Sequence, residues 1–203
     1  MKVLENKNAV ITGGSDGIGL GIAKAFAQNG ANLLLIGKHP NKLQKAKEEL
    51  LSEFSVLVHT LAADLSATEN ISEIRQAILR VFPSLDVLIN NAGLGKFVPF
   101  DQVDSSLYDM HFNLNVKAPY FLTQKLLPAL VESKGNVINI SSYFAHRMLP
   151  NRATTVYSAT KGALNSFTKA LAFEVGHLGV RVNAIAPGSI STPQFNRNLQ
   201  ALT

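Results

Sequence analysis

The sequence contains no cysteine, which excludes a disulfide framework and any metal site built on thiolates. Its five histidines are dispersed, and none pairs with another at the spacing of metal ligands, so we predict no metal site. No apolar run approaches the ~20 residues that a membrane-spanning helix needs, and no apolar signal segment stands at the N-terminus. We therefore expect a cytoplasmic protein without membrane contacts.

Positive charge exceeds negative charge, but the excess is not concentrated. The chain of 203 residues has 19 Lys and Arg against 14 Asp and Glu, which gives a formal net charge of +5 and makes nucleic-acid binding an alternative to consider. The basic residues are scattered except in the run KHPNKLQKAK (38–47), which is typical of the solvated face of a helix. We predict that nucleic acid is not a partner.

Short apolar runs alternate with longer helical patterns along the chain. The runs are apolar on both faces, as are strands buried between two layers of helices. Predicted strands span 8–12, 32–37, 55–63, 86–90, 136–141 and 180–186, and predicted helices span 17–29, 40–53, 67–82, 104–131 and 155–176. This alternation predicts an α/β fold with a doubly wound parallel sheet. No linker or repeat interrupts it, so we expect a single domain over residues 1–203.

Four glycines fall within the octet TGGSDGIG (12–19), between the first strand and the first helix. Their spacing differs from the G-x-G-x-x-G dinucleotide fingerprint. At this position a nucleotide pyrophosphate would rest against the amides of a helix N-terminus. Gly13 and Gly17 can provide a tight turn and space for phosphate, while Gly19 can let the helix approach the sheet. A loop that is merely rich in glycine is the alternative interpretation of the octet alone.

The stretch YSATK places Tyr157 and Lys161 four residues apart on the helix after the fifth strand, and therefore on one face. A nearby ammonium favours tyrosinate, so we expect Lys161 to lower the pKa of Tyr157 from its usual value near ~10. The fifth strand ends in Ser141 and Ser142, at the edge where open α/β sheets bind ligands. A serine there can donate to a carbonyl oxygen, or it can simply cap the strand.

Asparagines mark two further points. NNAG (90–93) ends the fourth strand, and NLNVKAP puts Asn113 and Asn115 inside the fourth helix. An asparagine inside a helix is more often solvated or capping than functional. The residues alone therefore leave the role of this pair open.

Five motifs, TGGSDGIG, NNAG, ISS, YSATK and APGSIST (186–192), resemble in kind and order those of the short-chain dehydrogenase/reductase family. The resemblance covers essentially the whole chain. It implies a Rossmann-like sheet in the strand order 3-2-1-4-5-6. It also implies an NAD(P)-dependent oxidoreductase that transfers a hydride between a nicotinamide and a small-molecule carbonyl or secondary alcohol. A catalytically weak or inactive sensor or assembly protein that binds the cofactor is the alternative.

The resemblance implies roles residue by residue. Tyr157 would be the catalytic acid/base, and Lys161 would lower its pKa and hold the nicotinamide ribose. Ser142 would orient the substrate carbonyl, Asn115 would support a proton-relay water, and Asn113 would be structural. The residues implied in cofactor binding are Gly13, Ser15, Asp16, Gly17, Ile18, Gly19, Lys38, Asp64, Leu65, Asn91, Ala92, Gly93, Tyr157, Lys161, Pro187, Gly188, Ile190 and Thr192.

The end of the second strand carries no acidic residue. NAD-type sites place an acid there to bind the ribose 2′-hydroxyl. Here Gly37 is followed by Lys38 and His39, and a cation at this point suits a 2′-phosphate. Asp16 argues the other way, because members of the family that prefer NADP often carry a basic residue in that position. We expect NADP(H) to be favoured over NAD(H).

The segment between Ser142 and Tyr157 is slightly longer than in the family. Its stretch AHRMLPNR brings His146, Arg147 and Arg152 near the catalytic serine. A solvated loop is the simpler interpretation, since loops are normally polar and exposed. Attraction of an anionic substrate or carrier is the alternative.

Two expectations concern surfaces and the chain end. Apolar residues sweep a wide arc of the helix over 155–176, so we expect a homodimer or homotetramer through that helix and the helix over 104–131.

Thr192 and Pro193 are suited to begin a further helix. The family continues through a substrate-covering segment and a seventh strand, which is missing here and would leave strand six at the sheet edge. Either the chain ends at Thr203 and a partner subunit covers that edge, or the functional protein extends beyond Thr203; we expect the second.

Overall fold

Six parallel strands form one sheet in the computed structural model, which describes residues 2–193 and residue 196. The strands are β1 (Asn8–Thr12), β2 (Asn32–Gly37), β3 (Val58–Ala62), β4 (Val87–Asn90), β5 (Asn136–Ile140) and β6 (Arg181–Ile185). Their order is β3-β2-β1-β4-β5-β6, which confirms the predicted doubly wound sheet. Val10 of β1 aligns with Leu34 of β2 and Leu88 of β4, so the first strand lies inside the sheet.

Helices cover both faces of this sheet. They are α1 (Gly17–Gln28), α2 (Pro40–Glu53), α3 (Ile71–Val81), α4 (Ser105–Phe112), α5 (Ala118–Glu132) and α6 (Thr155–Val175). One core joins the sheet to α1 and α2, and the other joins it to α3, α5 and the end of α6. Adjacent strand residues serve opposite cores: Ile11 packs with the first group and Val10 with the second, and both are fully buried.

The helix predicted over 104–131 is interrupted in the structure. A π-helical turn over Asn113–Lys117 separates α4 from α5, and the Ala118 amide donates to the Asn113 carbonyl five residues earlier. Pro119 explains the interruption, because it has no N–H for the Asn115 carbonyl and its ring would crowd that group in a regular helix. The apolar periodicity continues through the turn and does not reveal it.

Two other predicted elements need only small corrections. The strand predicted over 55–63 is shorter, as β3, and the helix predicted over 67–82 begins with a 3₁₀ turn over Thr68–Asn70 before α3. At the chain end, Pro193 and Asn196 are helical and the Asn196 amide donates to the Thr192 carbonyl. The remainder of that predicted helix lies outside the described residues.

Strand β6 stands last on its side of the sheet within the described part of the chain. Its Val182 is buried, but Ile185 is 51% exposed. This agrees with the expectation that strand six lies at the edge. Among the described helices, none combines the length and apolar character required to cross a bilayer.

Candidate active site

A cavity of about 600 Å³ opens at the carboxyl edge of the sheet, between the loops that follow β1, β4, β5 and β6. Most residues implied in cofactor binding or catalysis line it: Gly13, Ser15, Asp16, Gly17, Ile18, Lys38, Asn91, Ala92, Gly93, Ser142, Tyr157, Lys161, Pro187, Gly188, Ile190 and Thr192. Gly19, Asp64, Leu65 and Asn115 do not line it. The carboxyl ends of parallel strands therefore gather these distant motifs at one place, as open α/β sheets do.

The glycine loop after β1 forms a cradle with no room for a Cβ at Gly13 or Gly19. Gly13 has a φ of +63°, and a Cβ there would lie 2.8 Å from the Asn91 amide nitrogen. Gly17 has a φ of +52°, a conformation that L side chains rarely adopt. A Cβ on Gly19 would overlap the Gly13 carbonyl oxygen, so this glycine sets the contact between α1 and the loop. The cradle fits the pyrophosphate of a dinucleotide at the N-terminus of α1.

The loop is tied to β4 by Thr12, a residue that sequence reasoning did not place in the site. The Thr12 hydroxyl accepts from the amides of Asn91 and Ala92 at 2.9 and 3.0 Å. The Asn91 side chain returns a 2.9 Å hydrogen bond to the Thr12 carbonyl. These reciprocal bonds fix the two cofactor-facing loops against each other. The sequence signal for this contact was that Thr12 and Asn91 stand at the carboxyl ends of β1 and β4, which are neighbouring parallel strands.

Tyr157 and Lys161 meet in the part of the cavity beside β5 and the start of α6. The Lys161 Nζ lies 5.7 Å from the centre of the Tyr157 ring and donates a 2.8 Å hydrogen bond to the Ile140 carbonyl. Ser142 is buried, and its hydroxyl accepts from the Phe144 amide at 3.2 Å. The serine thus caps the 3₁₀ turn that follows β5 and also faces the cavity.

Burial governs the titration of this pair. It lowers the pKa of Lys161 to about 8 and raises the pKa of Tyr157, while a hydrogen bond with Ser142 acts in the opposite direction on the tyrosine. The expected lowering of the Tyr157 pKa by Lys161 is therefore not seen within the chain. The physical reason is that desolvation penalises the phenolate more than its neighbours stabilise it.

Asn115 is buried in the π-helical turn behind Gly93, so it is neither solvated nor a cap. Its side-chain oxygen accepts from the Leu94 amide at 2.7 Å, and its nitrogen donates to the Leu94 carbonyl at 2.9 Å. The same nitrogen donates to the Thr160 hydroxyl at 3.0 Å. Asn115 thus joins the loop after β4 to α6 at the residue that precedes Lys161. Asn113 provides only its backbone carbonyl to the turn.

Two ion pairs flank the far end of the cavity. Lys38 contacts Asp64 at 2.8 Å, and Lys42 contacts Asp16 at 2.9 Å. Lys38, with help from Ser66, lowers the pKa of Asp64 to about 2. Asp64 does not line the cavity itself but contacts Lys38, which does. Leu65, next in the chain, is buried in the core and does not reach the cavity.

An aromatic wall stands beside Tyr157 and was missed by sequence reasoning. We define it as Phe97, Phe144 and the Tyr157 ring. Phe97 lies 5.5 Å from Tyr157 and 5.9 Å from Phe144 between ring centres, and all three line the cavity. The rings come from the loop after β4, the turn after β5 and the start of α6. No local sequence pattern predicts that these three rings contact one another.

His111 supports one side of this wall from behind. It is fully buried, contacts the Leu107 carbonyl through Nδ1 at 2.9 Å and accepts from the Lys96 amide through Nε2 at 3.3 Å. Lys96 immediately precedes Phe97. Nε2 therefore holds the loop that carries Phe97, while the Nδ1 contact within α4 fixes the ring.

The three basic residues of the stretch AHRMLPNR lie in different environments. Arg152 lines the cavity, whereas Arg147 does not. His146 lies on the outer side, with its Nε2 3.0 Å from the Asn165 side chain. Of these three basic residues, Arg152 therefore faces the site. Within the described chain, no cluster of His, Cys, Asp and Glu could hold a metal ion.

Comparison with known proteins finds dehydrogenases and reductases as relatives of this chain. A family model described as short chain dehydrogenase matches residues 7–202. L-Rhamnose 1-dehydrogenase (NADP(+)) from Thermoplasma acidophilum is 34% identical over 191 residues, which cover 93% of this chain and 74% of that protein.

Solved structures match over nearly the whole chain. L-sorbose reductase from Gluconobacter frateurii, complexed with NADPH and L-sorbose, has a TM-score of 0.93 at 34% identity, covering 100% of this chain and 77% of that one. 3-Ketoacyl-(acyl-carrier-protein) reductase from Brucella melitensis, complexed with NADH, has a TM-score of 0.86 at 32% identity, covering 95% of this chain and 79% of that one.

Proposed function

The chain belongs to the short chain dehydrogenase family, whose members are NAD(P)-dependent oxidoreductases, and on this premise we propose that it interconverts a carbonyl and a secondary alcohol using NADP(H). One observation carries the proposal. Ser142, Tyr157 and Lys161 line the same cavity as the glycine cradle, with Asn115 directly behind them. A hydroxyl acid/base, a second hydroxyl and an ammonium beside a dinucleotide cradle are the groups that this reaction needs.

The reacting oxygen would lie between the two hydroxyls. Ser142 donates a hydrogen bond to it, and Tyr157 gives it a proton during reduction or takes one during oxidation. The raised pKa keeps Tyr157 protonated at neutral pH, which is the form that reduction needs. When bound, the nicotinamide supplies the hydride to the carbonyl carbon or accepts it from the alcohol.

Lys161 and Asn115 would support this proton transfer. The Lys161 ammonium, held on the Ile140 carbonyl, stabilises the tyrosinate left by proton donation and is placed to bind ribose hydroxyls. Asn115 keeps the loop after β4 close to α6 and lies where it could hold a water of the proton relay. The presence of this complete set does not favour an inactive sensor.

The residues that would hold the cofactor extend from the glycine cradle to the loop after β6. The preference for NADP(H) is supported by Gly37, which places no carboxylate at the end of β2, and by Lys38, His39 and Lys42 on the adjacent wall. Lys38 and Lys42 are already paired with carboxylates, so a 2′-phosphate would compete with Asp64 and Asp16 for them. The preference should therefore be clear but not absolute.

We extend the proposal to the whole molecule. Residues 1–203 would act as one domain that carries both the cofactor and catalytic sites, located in the cytoplasm. A homodimer or homotetramer would form through α4, α5 and α6. Its support is a set of aromatic side chains exposed on these helices: Tyr108, Tyr120, Phe121 and Phe173.

The test is a coupled assay of binding and turnover. NADPH oxidation is followed with a panel of ketones, and NADP⁺ reduction with the matching alcohols, while cofactor binding is measured by titration. We expect turnover of at least one pair in both directions. Tight cofactor binding without any turnover would instead favour the sensor, and the absence of binding would contradict the proposal.

A further inference from the structure

The catalytic end of the cavity carries positive charge without an acidic partner. Arg152 and Lys161 both line this end, and the acidic residue among the described lining residues, Asp16, stands at the cofactor end in its ion pair with Lys42. Within residues 2–193 and 196, no carboxylate lies within 4.0 Å of Arg152. A one-sided field of this kind concentrates anions at the mouth of a cleft.

The local backbone brings Arg152 to the cavity. A turn at Pro150–Asn151 precedes it, and Asn151 has a φ of 57°, in the left-handed region that asparagine tolerates better than most residues. Arg147, five residues earlier in the same segment, stays outside the cavity. Two arginines of one exposed segment therefore differ in position while sharing charge and exposure.

The aromatic wall and Arg152 line the same cavity as Tyr157. Phe97 and Phe144 contact the Tyr157 ring with centre separations of 5.5 and 6.4 Å, and Leu149 adds an apolar side chain to the cavity lining near Arg152 in the sequence. A planar apolar group can pack on such faces and edges. A substrate with its carbonyl at Tyr157 would thus find both apolar surface and a guanidinium in the same cavity.

We infer that the substrate is an anionic carbonyl compound whose planar or apolar body packs on the aromatic wall and whose acidic group is met by Arg152. The inference rests on the proposed function for the position of the carbonyl. Arg152 is a specificity-determining residue in this assignment and takes no part in proton transfer. A guanidinium can bind a carboxylate through two parallel hydrogen bonds, which gives direction as well as attraction.

The experiment compares acids with their neutral esters. A series of aromatic keto acids, with the carboxylate one to four carbons from the ketone, is assayed beside the corresponding methyl esters. The measured quantity is the ratio of kcat/KM for acid to that for ester. We expect the wild type to favour an acid, Arg152→Gln to lower the ratio about tenfold or more, and Arg147→Gln to keep it, since only the first variant removes a charged hydrogen-bond donor from the cavity.

Equal kcat/KM for acids and esters in the wild type would overturn the inference while leaving the proposed function intact. The same conclusion follows if Arg147→Gln lowers the ratio as much as Arg152→Gln does, because the effect would then be one of general charge. If no ketone is reduced, the proposed function fails, and titration of acid and ester into the NADPH-saturated protein decides the inference. Tighter binding of the acid, lost in Arg152→Gln, supports it, and equal binding contradicts it.

Discussion

The Nζ of Lys161 lies 5.7 Å from the centre of the Tyr157 ring, four residues earlier on α6, and burial changes the pKa of each group in the direction of its neutral form. The lysine is held by the Ile140 carbonyl at 2.8 Å, so its position does not depend on its charge alone. Burial thus lowers the pKa of Lys161 to about 8 and raises that of Tyr157, so the lysine loses its proton at lower pH than the tyrosine.

The pH profile should report the lysine of this pair. Its ammonium is present below a pKa of about 8 and is lost above it, whereas the raised pKa of Tyr157 keeps the phenol protonated through the same range. We expect kcat/KM for NADPH, which reports groups of the free enzyme, to decrease about tenfold per pH unit above pH ~8 during ketone reduction. A profile that stays flat to pH ~10 would contradict a role for the ammonium.

The cofactor preference should depend on Lys38. Replacement by aspartate, Lys38→Asp, removes a cation from the far wall and adds a carboxylate that suits a ribose 2′-hydroxyl. We expect the ratio of kcat/KM for NADPH to that for NADH to fall about 10–100-fold, the range expected for a charged hydrogen bond. Lys45→Asp, on the following helix α2 but outside the cavity, is the control for net charge. A wild-type preference for NADH would refute the expectation.

The glycine cradle gives a matched pair of stability measurements. Gly19→Ala places a Cβ against the Gly13 carbonyl oxygen, while a Cβ at Gly21, two residues further along α1, meets no atom within 4 Å. We expect Gly19→Ala to reduce the free energy of unfolding by about 1–3 kcal/mol through overpacking. Gly21→Ala should be neutral or raise it by up to about 1 kcal/mol. Urea unfolding measures both free energies. Similar values for the two variants would contradict a close contact between Gly19 and the Gly13 carbonyl oxygen.

Assembly should depend on the aromatic side chains of α5 and α6. Phe173 is 94% exposed, and Tyr120 lies 4.9 Å from Phe167 between ring centres on the neighbouring helices. Burial of such apolar surface between two copies of the chain is favourable. We expect light scattering at micromolar concentration to show a dimer or tetramer and Phe173→Asp to shift the mass toward the monomer. Leu57→Asp, at an exposed position outside α5 and α6, should not. A monomeric wild type would refute the proposed assembly.

The strands and the position of the candidate site could be predicted from the sequence for a physical reason, whereas the strand order was implied by the resemblance to the family. Residues buried between two helix layers must be apolar on both faces, and the motifs fall where those runs end. The octet TGGSDGIG and the pair Tyr157–Lys161 are local signals, in which spacing along the chain determines spacing in the fold.

The features that were missed depend on packing between distant segments. Phe97 and Phe144 meet only because two loops approach each other above the sheet, and the Thr12 contact with Asn91 crosses from one strand end to the next. The raised pKa of Tyr157 reflects burial, which the sequence does not specify at a single position. The break before α5 did have a sequence signal, Pro119, which stands four residues after Asn115.

The central claim is that Tyr157 exchanges the proton of the reacting oxygen in the cofactor-bound protein. It is tested most directly by measuring kcat for ketone reduction together with the Kd for NADPH in the wild type and in Tyr157→Phe, which removes one hydroxyl and keeps the ring against Phe97. We expect kcat to fall by about 10²–10⁴-fold, the usual contribution of general acid–base catalysis, while Kd for NADPH remains within about twofold of the wild type. A Tyr157→Phe variant that binds NADPH normally and retains near wild-type kcat would contradict the claim.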